Sequence, residues 1–215
     1  MDDFRKRLMK MLTGGGGGHN LPPEYQEVEW LLGSNGCKIT TGITISAETT
    51  MYVHYEQQPN DAGTNWNIVA GIVYDRGMYW CIQSSTSSGY LRFNGGNAAG
   101  TGLANVQFNV GTKAGDDIEA FLANKNGVES YFIKNGTKYG NSTSLYTCVS
   151  RESPWLFSNS VKIYESKFCE AGILIRHFIP CCRIADSEPG MYDIVGGRFY
   201  PNEGTGSFTV GPDVI

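Results

Sequence analysis

Three histidines, His19, His54 and His177, are the only imidazoles in the chain, so proton transfer or metal binding through that group has few places to be built. His19 stands beside a run of glycines and belongs to a tether. His177 lies in "LIRHFIP", between Arg176 and Phe178, where it packs or caps a strand. No GxSxG elbow and no HExxH pair is present. A glycosidase on a β-sandwich needs two carboxylates presented to a sugar cleft from one strand face. Glu24, Glu27 and Glu29 come nearest, but their spacing is not E-x-D-x-E, and exposed acids along an edge strand account for them. Asp116 with Asp117, and Asp186 with Glu188, sit in turn-like contexts where short acidic side chains serve the turn itself. The residues predict a protein that is not an enzyme.

Cys37, Cys81, Cys148, Cys169, Cys181 and Cys182 include no CxxC pair and no histidine at zinc-finger spacing, which sets a structural zinc site aside. A chain of this size does not need disulfide staples, and adjacent Cys181 and Cys182 point to opposite faces if extended. Free thiols in a reducing compartment are expected.

Binding chemistry is better represented. Exposed tryptophan and tyrosine stack on the flat apolar faces of sugar rings, and loops at the ends of a sandwich carry function. "NDAGTNWN" from Asn60 to Asn67 combines loop polarity with an aromatic, and "GMYWCIQSSTSSGY" brings a second aromatic group beside the Ser84 to Ser88 run, which reads as a loop. Asp61, Asn65, Trp66 and Tyr90 are the candidate ligand contacts; Trp80 lies inside a strand and belongs to the core.

The elements that would position these residues are strands. Val28, Trp30 and Leu32 alternate with Glu27 and Glu29; Met51, Val53 and Tyr55 with Tyr52, His54 and Glu56; Val106, Phe108 and Val110 with Gln107 and Asn109. "NIVAGIVY" is apolar on both sides, as a central strand is. "SYFIKNGTKYG" carries Asn135-Gly136 between two strand-like runs, the strongest hairpin signal in the chain. "VKIYESKF" and "GILIRHFIP" follow as another pair. With 28 glycines, 12% aromatic and only 18% charged residues, the composition agrees with a turn-rich strand protein rather than a helical one. About a dozen strands and no helix within the domain predict an all-β fold, a two-sheet antiparallel sandwich.

A net charge of -4 argues against a nucleic-acid binder that depends on phosphate contacts. No stretch reaches the ~20 apolar residues that span a bilayer.

Residues 1–20 differ in kind from the rest. Phe4, Leu8, Met11 and Leu12 recur at helical spacing, with Asp2 and Asp3 at the helix start and Arg5, Lys6, Arg7 and Lys10 on the polar face. So short a helix is marginal alone and is expected to order against a partner or further copies of itself. Charges run through to Lys10 with no apolar stretch behind them, unlike a secretory signal. Gly14 to Gly18 form a flexible link, and about ten residues of such chain span roughly 17 Å.

"LPPEYQEVEWLLGSNGCKITTGI" at residues 21–43 and the closing segment 160–214, which contains "MYDIVGGRFYPNEGTGSF", resemble the two ends of concanavalin A-like, laminin G-like domains in structural proteins of bacteriophages and prophages of gut bacteria. "FLANKNGVESYFIKNGTKYG" resembles the central hairpin of that group. The resemblance covers residues 21–215 and implies a concanavalin A-like jelly roll used for carbohydrate or protein recognition. Tyr192, Ile194, Phe199, Tyr200 and Phe208 would pack the end of the sandwich, with Gly196-Gly197 forming a hairpin turn and Gly204 and Gly206 letting the chain double back. Some relatives bind calcium; no oxygen-rich Asp/Asn spacing here carries that over, so no cofactor is expected and the metal question stays open. The expected protein is a non-enzymatic virion component, assembled in a bacterial host cytoplasm. Its N-terminal segment docks on other virion proteins, and its lectin-like domain at 21–215 faces bacterial surface glycan, in single or multiple copies. The alternative is a capsid or tail decoration protein with no glycan ligand.

Overall fold

Period-two alternation of apolar and polar residues puts one face of each run on a core and the other outside, and the chain resolves into strands on that basis. A computed structural model describes residues 18–61, 63–73, 79–96, 103–125, 127–142, 147, 148, 150 and 152–215; the helix expected at Phe4, Leu8, Met11 and Leu12 lies outside them. In chain order the strands are β1 (Tyr25–Glu27), β2 (Leu31–Gly33), β3 (Ile39–Thr40), β4 (Thr49–Glu56), β5 (Asn67–Val73), β6 (Tyr79–Ser85), β7 (Tyr90–Gly96), β8 (Leu103–Asn109) and β9 (Asp117–Ala123). They continue with β10 (Ser130–Lys134), β11 (Thr137–Ser142), β12 (Trp155–Leu156), β13 (Val161–Glu170), β14 (Ile173–Arg183), β15 (Glu188–Asp193), β16 (Arg198–Pro201) and β17 (Phe208–Val210).

Two antiparallel sheets result. The smaller runs β3-β12-β5-β6-β7-β8, and the larger runs β11-β10-β9-β4-β13-β14-β15-β16, with β2 and β1 filling the edges that β14 leaves on β13 and on itself and β17 added outside β2. The arrangement is an all-β sandwich, compatible with a jelly roll. One core joins the sheets: Met51, Val53 and Tyr55 from β4, Ile118, Ala120 and Leu122 from β9 and Phe168 from β13 meet Ile72, Trp80, Ile82, Leu91 and Phe93 from the smaller sheet. A second cluster of Tyr52, Phe121, Ala123 and Cys169 lies on the outer face of the larger sheet.

Several local expectations hold. Asn135 and Gly136 both take positive φ, 48° and 78°, the two left-handed residues a type I′ hairpin between β10 and β11 requires. Trp80 is fully buried, and all six cysteines are free thiols. Asp186 and Glu188 serve their turn through Arg183.

Others are corrected. The run from Glu27 to Leu32 is not one strand: the ladder breaks at Glu29 and Trp30, so Val28, Leu31 and Gly33 are buried and Leu32 is not. Ser84 and Ser85 belong to β6 and are buried, leaving 86–89 as the turn. Asp116 is not a surface turn residue. It is 2% exposed, accepting from the Lys113 backbone N–H at 2.9 Å and from Asn135 Nδ2 at 2.9 Å, so it pins the β10–β11 turn to the start of β9. Ile194 stays at the surface in the turn between β15 and β16; Tyr200 packs in the core, while Tyr192 and Phe199 lie on the opposite face of the sheet, both against Tyr25. Gly204 and Gly206 serve close approach rather than reversal: a Cβ on Gly204 would sit 2.0 Å from the Gly36 carbonyl oxygen, and one on Gly206 2.7 Å from the Cys37 nitrogen.

Candidate functional site

Among the described residues, two places gather side chains beyond what packing needs. The first is built by the loop between β4 and β5. Asn67 opens β5 and turns its amide back into the loop, donating to the carbonyls of Pro59 and Ser160 at 3.1 Å each, while its Oδ1 accepts from the Asp61 N–H at 3.3 Å. The Asp61 carboxylate accepts from the Ser160 N–H at 3.0 Å and from the Ser160 hydroxyl. Asn60 reaches the other way, accepting from the Thr86 N–H at 2.9 Å and donating to Ser87 Oγ at 3.1 Å in the β6–β7 turn. The loop is therefore held by its own amides and carboxylate.

That loop carries Trp66 into contact with the outer face of the smaller sheet. The Arg92 guanidinium lies 3.8 Å from the Trp66 ring centroid, and the Tyr90 ring is 6.4 Å away at 31°. Trp66 and Tyr90 are both half-buried and Asn65 is exposed. Arg92 is oriented in turn by Gln83 Oε1, which accepts from its Nε at 2.8 Å and from Asn94 Nδ2 at 2.7 Å. On β8, Asn105, Gln107 and Asn109 stand exposed opposite Asn94, Arg92 and Tyr90 of β7. On the other side of the same loop, a groove of about 420 Å³ is lined by Gln58, Asn60, Asp61 and Ser160 against Ser34 and Thr209 of the β2 and β17 edge. Its size falls within the range of small-ligand sites. Three of the four sequence candidates thus lie on one loop, and the fourth, Tyr90, opens the neighbouring strand β7. Trp66 and Tyr90 form an aromatic shelf with exposed Asn65 next to it in the loop, while Asp61 walls the groove with both carboxylate oxygens engaged by Ser160.

The second place is the outer face of the larger sheet, where β9, β4, β13 and β14 run side by side. The Tyr52 hydroxyl donates to Glu119 Oε2 at 2.9 Å across the β4–β9 pair. Burial, reinforced by the charges of Glu119 and Glu165, drives that hydroxyl far above the ordinary phenol range, so it is a fixed donor. Lys167 stands opposite Tyr52 on one side and His177 on the other; its ammonium lies 2.9 Å from Glu165 Oε2 and is 2% exposed. His177 Nε2–H donates to the same oxygen at 2.9 Å, and its backbone N–H donates to Asp193 Oδ1 at 2.9 Å. Burial pushes the Glu165 carboxyl up, but the His177 hydrogen bond and the Lys167 charge outweigh it and hold the group below the usual carboxylate range. Held ionised, Glu165 can accept hydrogen bonds or ligate a cation.

His19 is not merely tether. Its backbone N–H donates to Glu27 Oε2 at 2.6 Å, its Nδ1–H to Glu27 Oε1 at 2.9 Å, and its ring meets His177 edge-on with centroids 5.2 Å apart. Glu27 is thereby engaged by His19 instead of projecting into solvent. Sequence reasoning missed this cluster, although one signal was present: pairing "VKIYESKF" with "GILIRHFIP" about the intervening turn sets Lys167 opposite His177.

No family model matches the chain, and no curated protein matches it.

Proposed function

We propose that the domain is a non-enzymatic binding module for carbohydrate, using the shelf of Trp66 and Tyr90 with the groove beside Asp61 as its glycan site. One observation carries the reading: a single hydrogen-bonded loop presents a half-exposed tryptophan beside a tyrosine on one side and a polar groove of about 420 Å³ on the other. Apolar ring faces and clustered amides and hydroxyls are what a pyranose needs, one for stacking and the other for its hydroxyl groups. The resemblance of residues 21–43 and 160–214 to phage and prophage structural domains supplies the setting. In it, a virion protein displays the sandwich toward bacterial surface glycan and is anchored through the residues before it. Repeated copies offset the weak affinity of a shallow site.

The test is a glycan-array and host-cell adsorption assay with the full chain presented as a multimer. Saturable binding lost in Trp66→Ala, with the fold retained by circular dichroism, supports the reading. A folded multimer that binds no glycan and no cell overturns it in favour of a decoration protein.

A further inference from the structure

The outer face of the larger sheet gathers nitrogen and oxygen donors in a way that the glycan reading does not use. We propose that His19, His177 and Glu165 form a site for a zinc-class divalent metal ion, closed over the sheet by the chain at His19.

One donor atom from each of the three residues lies within 4.8 Å of the other two. A tetrahedral ion with bonds of about 2.0–2.1 Å separates its ligand atoms by roughly 3.3 Å, so small side-chain adjustments bring the set to bonding distance. His177 and Glu165 already share a proton at 2.9 Å, and an ion binding between them takes the place of that proton. Two features go beyond coincidence of position. His19 Nδ1–H donates to Glu27, which fixes the tautomer with Nε2 as the lone-pair nitrogen and makes the ring a stronger ligand, the carboxylate–histidine–metal relay of many such sites. His177 is held by its backbone N–H on Asp193 and is almost wholly buried, so its ring is fixed before any ion arrives.

Lys167 decides which metal. Its ammonium beside Glu165 opposes any cation held by charge alone, which disfavours calcium and magnesium with their need for several anionic oxygens. Two imidazoles and one carboxylate suit zinc, which takes nitrogen ligands that calcium and magnesium do not favour. Three protein ligands leave a fourth position to water. The structural consequence is that an ion would pin His19, and with it the point where the Gly14–Gly18 run meets the domain, to strands β13 and β14.

The experiment uses tag-free, chelator-treated full chain titrated with Zn²⁺ by calorimetry, with Co²⁺ as a spectroscopic stand-in. One equivalent is expected to bind, with a Co²⁺ spectrum free of thiolate charge-transfer absorption and a rise in Tm. His19→Ala alters a partly exposed side chain and leaves the sheet intact; it should abolish stoichiometric binding, and Glu27→Gln should weaken it about tenfold or more. Absence of stoichiometric binding, thiolate absorption, or binding unchanged in His19→Ala would each overturn the proposal.

Discussion

Phe93 of the smaller sheet and Phe132 of the larger stack face to face across the sandwich, their ring centroids 4.0 Å apart and their planes 5° from parallel. Phe108 meets both rings edge-on, at 6.3 and 6.0 Å, so three aromatics from three strands close the core near the β10–β11 hairpin. Both stacked rings are fully buried. Truncating either removes a large buried side chain and leaves a cavity between two sheets that cannot easily collapse. Phe132→Ala is expected to cost about 3–5 kcal/mol. Urea unfolding checks this; a loss below about 1 kcal/mol would mean that the sheets do not meet there.

Glycines should divide by what surrounds them. An alanine at Gly204 drives a methyl group into the Gly36 carbonyl and is expected to destabilise by about 1–3 kcal/mol, or to strip the last strand from β2. At Gly63, φ is +80° but nothing lies within 4 Å, so alanine there pays only backbone strain of about 1–2 kcal/mol and leaves strand pairing intact. Amide exchange at Thr209 separates the two cases, because only Gly204→Ala should expose it.

Acid should loosen the β10–β11 hairpin before the rest. Burial raises the Asp116 carboxyl, but the Lys113 N–H, Asn135 amide and Lys134 ammonium together bring it below the usual range. A folded-state pKa that is depressed gives stability present above the unfolded value, about 3.9, and lost as pH falls through the folded value. Wild type should therefore lose stability below about pH 4 more steeply than Asp116→Asn, which is weaker at neutral pH and flatter in acid. Denaturant midpoints measured from pH 6 to pH 2 test the difference in slope.

Thiol reactivity should be sharply graded. Burial pushes Cys81 and Cys181 up to about 12 and Cys148 and Cys169 up to about 11, so almost none of these is thiolate at neutral pH. Cys182 is the one thiol with partial exposure. A thiol-specific disulfide reagent at neutral pH should label at most that residue quickly in the native protein, and all six cysteines in denaturant. Rapid native labelling of Cys81 would contradict its position in β6.

Much of the architecture was written locally. Met51, Val53 and Tyr55 alternate with polar neighbours and become β4, and Asn135-Gly136 dictates its own turn because few other residue pairs accept two left-handed conformations. Where period two fails, the cause is a break in pairing. Glu29 and Trp30 interrupt the ladder between β1 and β2, and the change of phase moves burial from Leu32 to Leu31. Of the ligand candidates, Trp66 and Tyr90 come together because β5, β6 and β7 are consecutive neighbours. His19 and His177 meet only through β1 against β14, a pairing that depends on the whole sheet and leaves no trace in spacing.

That dependence extends to how the molecule is made. Leu31 pairs with Val210 and Ile163, Thr50 with Cys169, and Val28 with Asp213, so the earliest strands of the domain find their partners among its last. During synthesis, β9 can close one edge of β4, but β1, β2 and the other edge of β4 wait for the C-terminal strands. Each nascent chain passes through an interval of exposed, pairing-competent backbone in a crowd of identical chains. Yield in expression should therefore be governed by translation speed and chaperone supply more than by the stability of the finished sandwich.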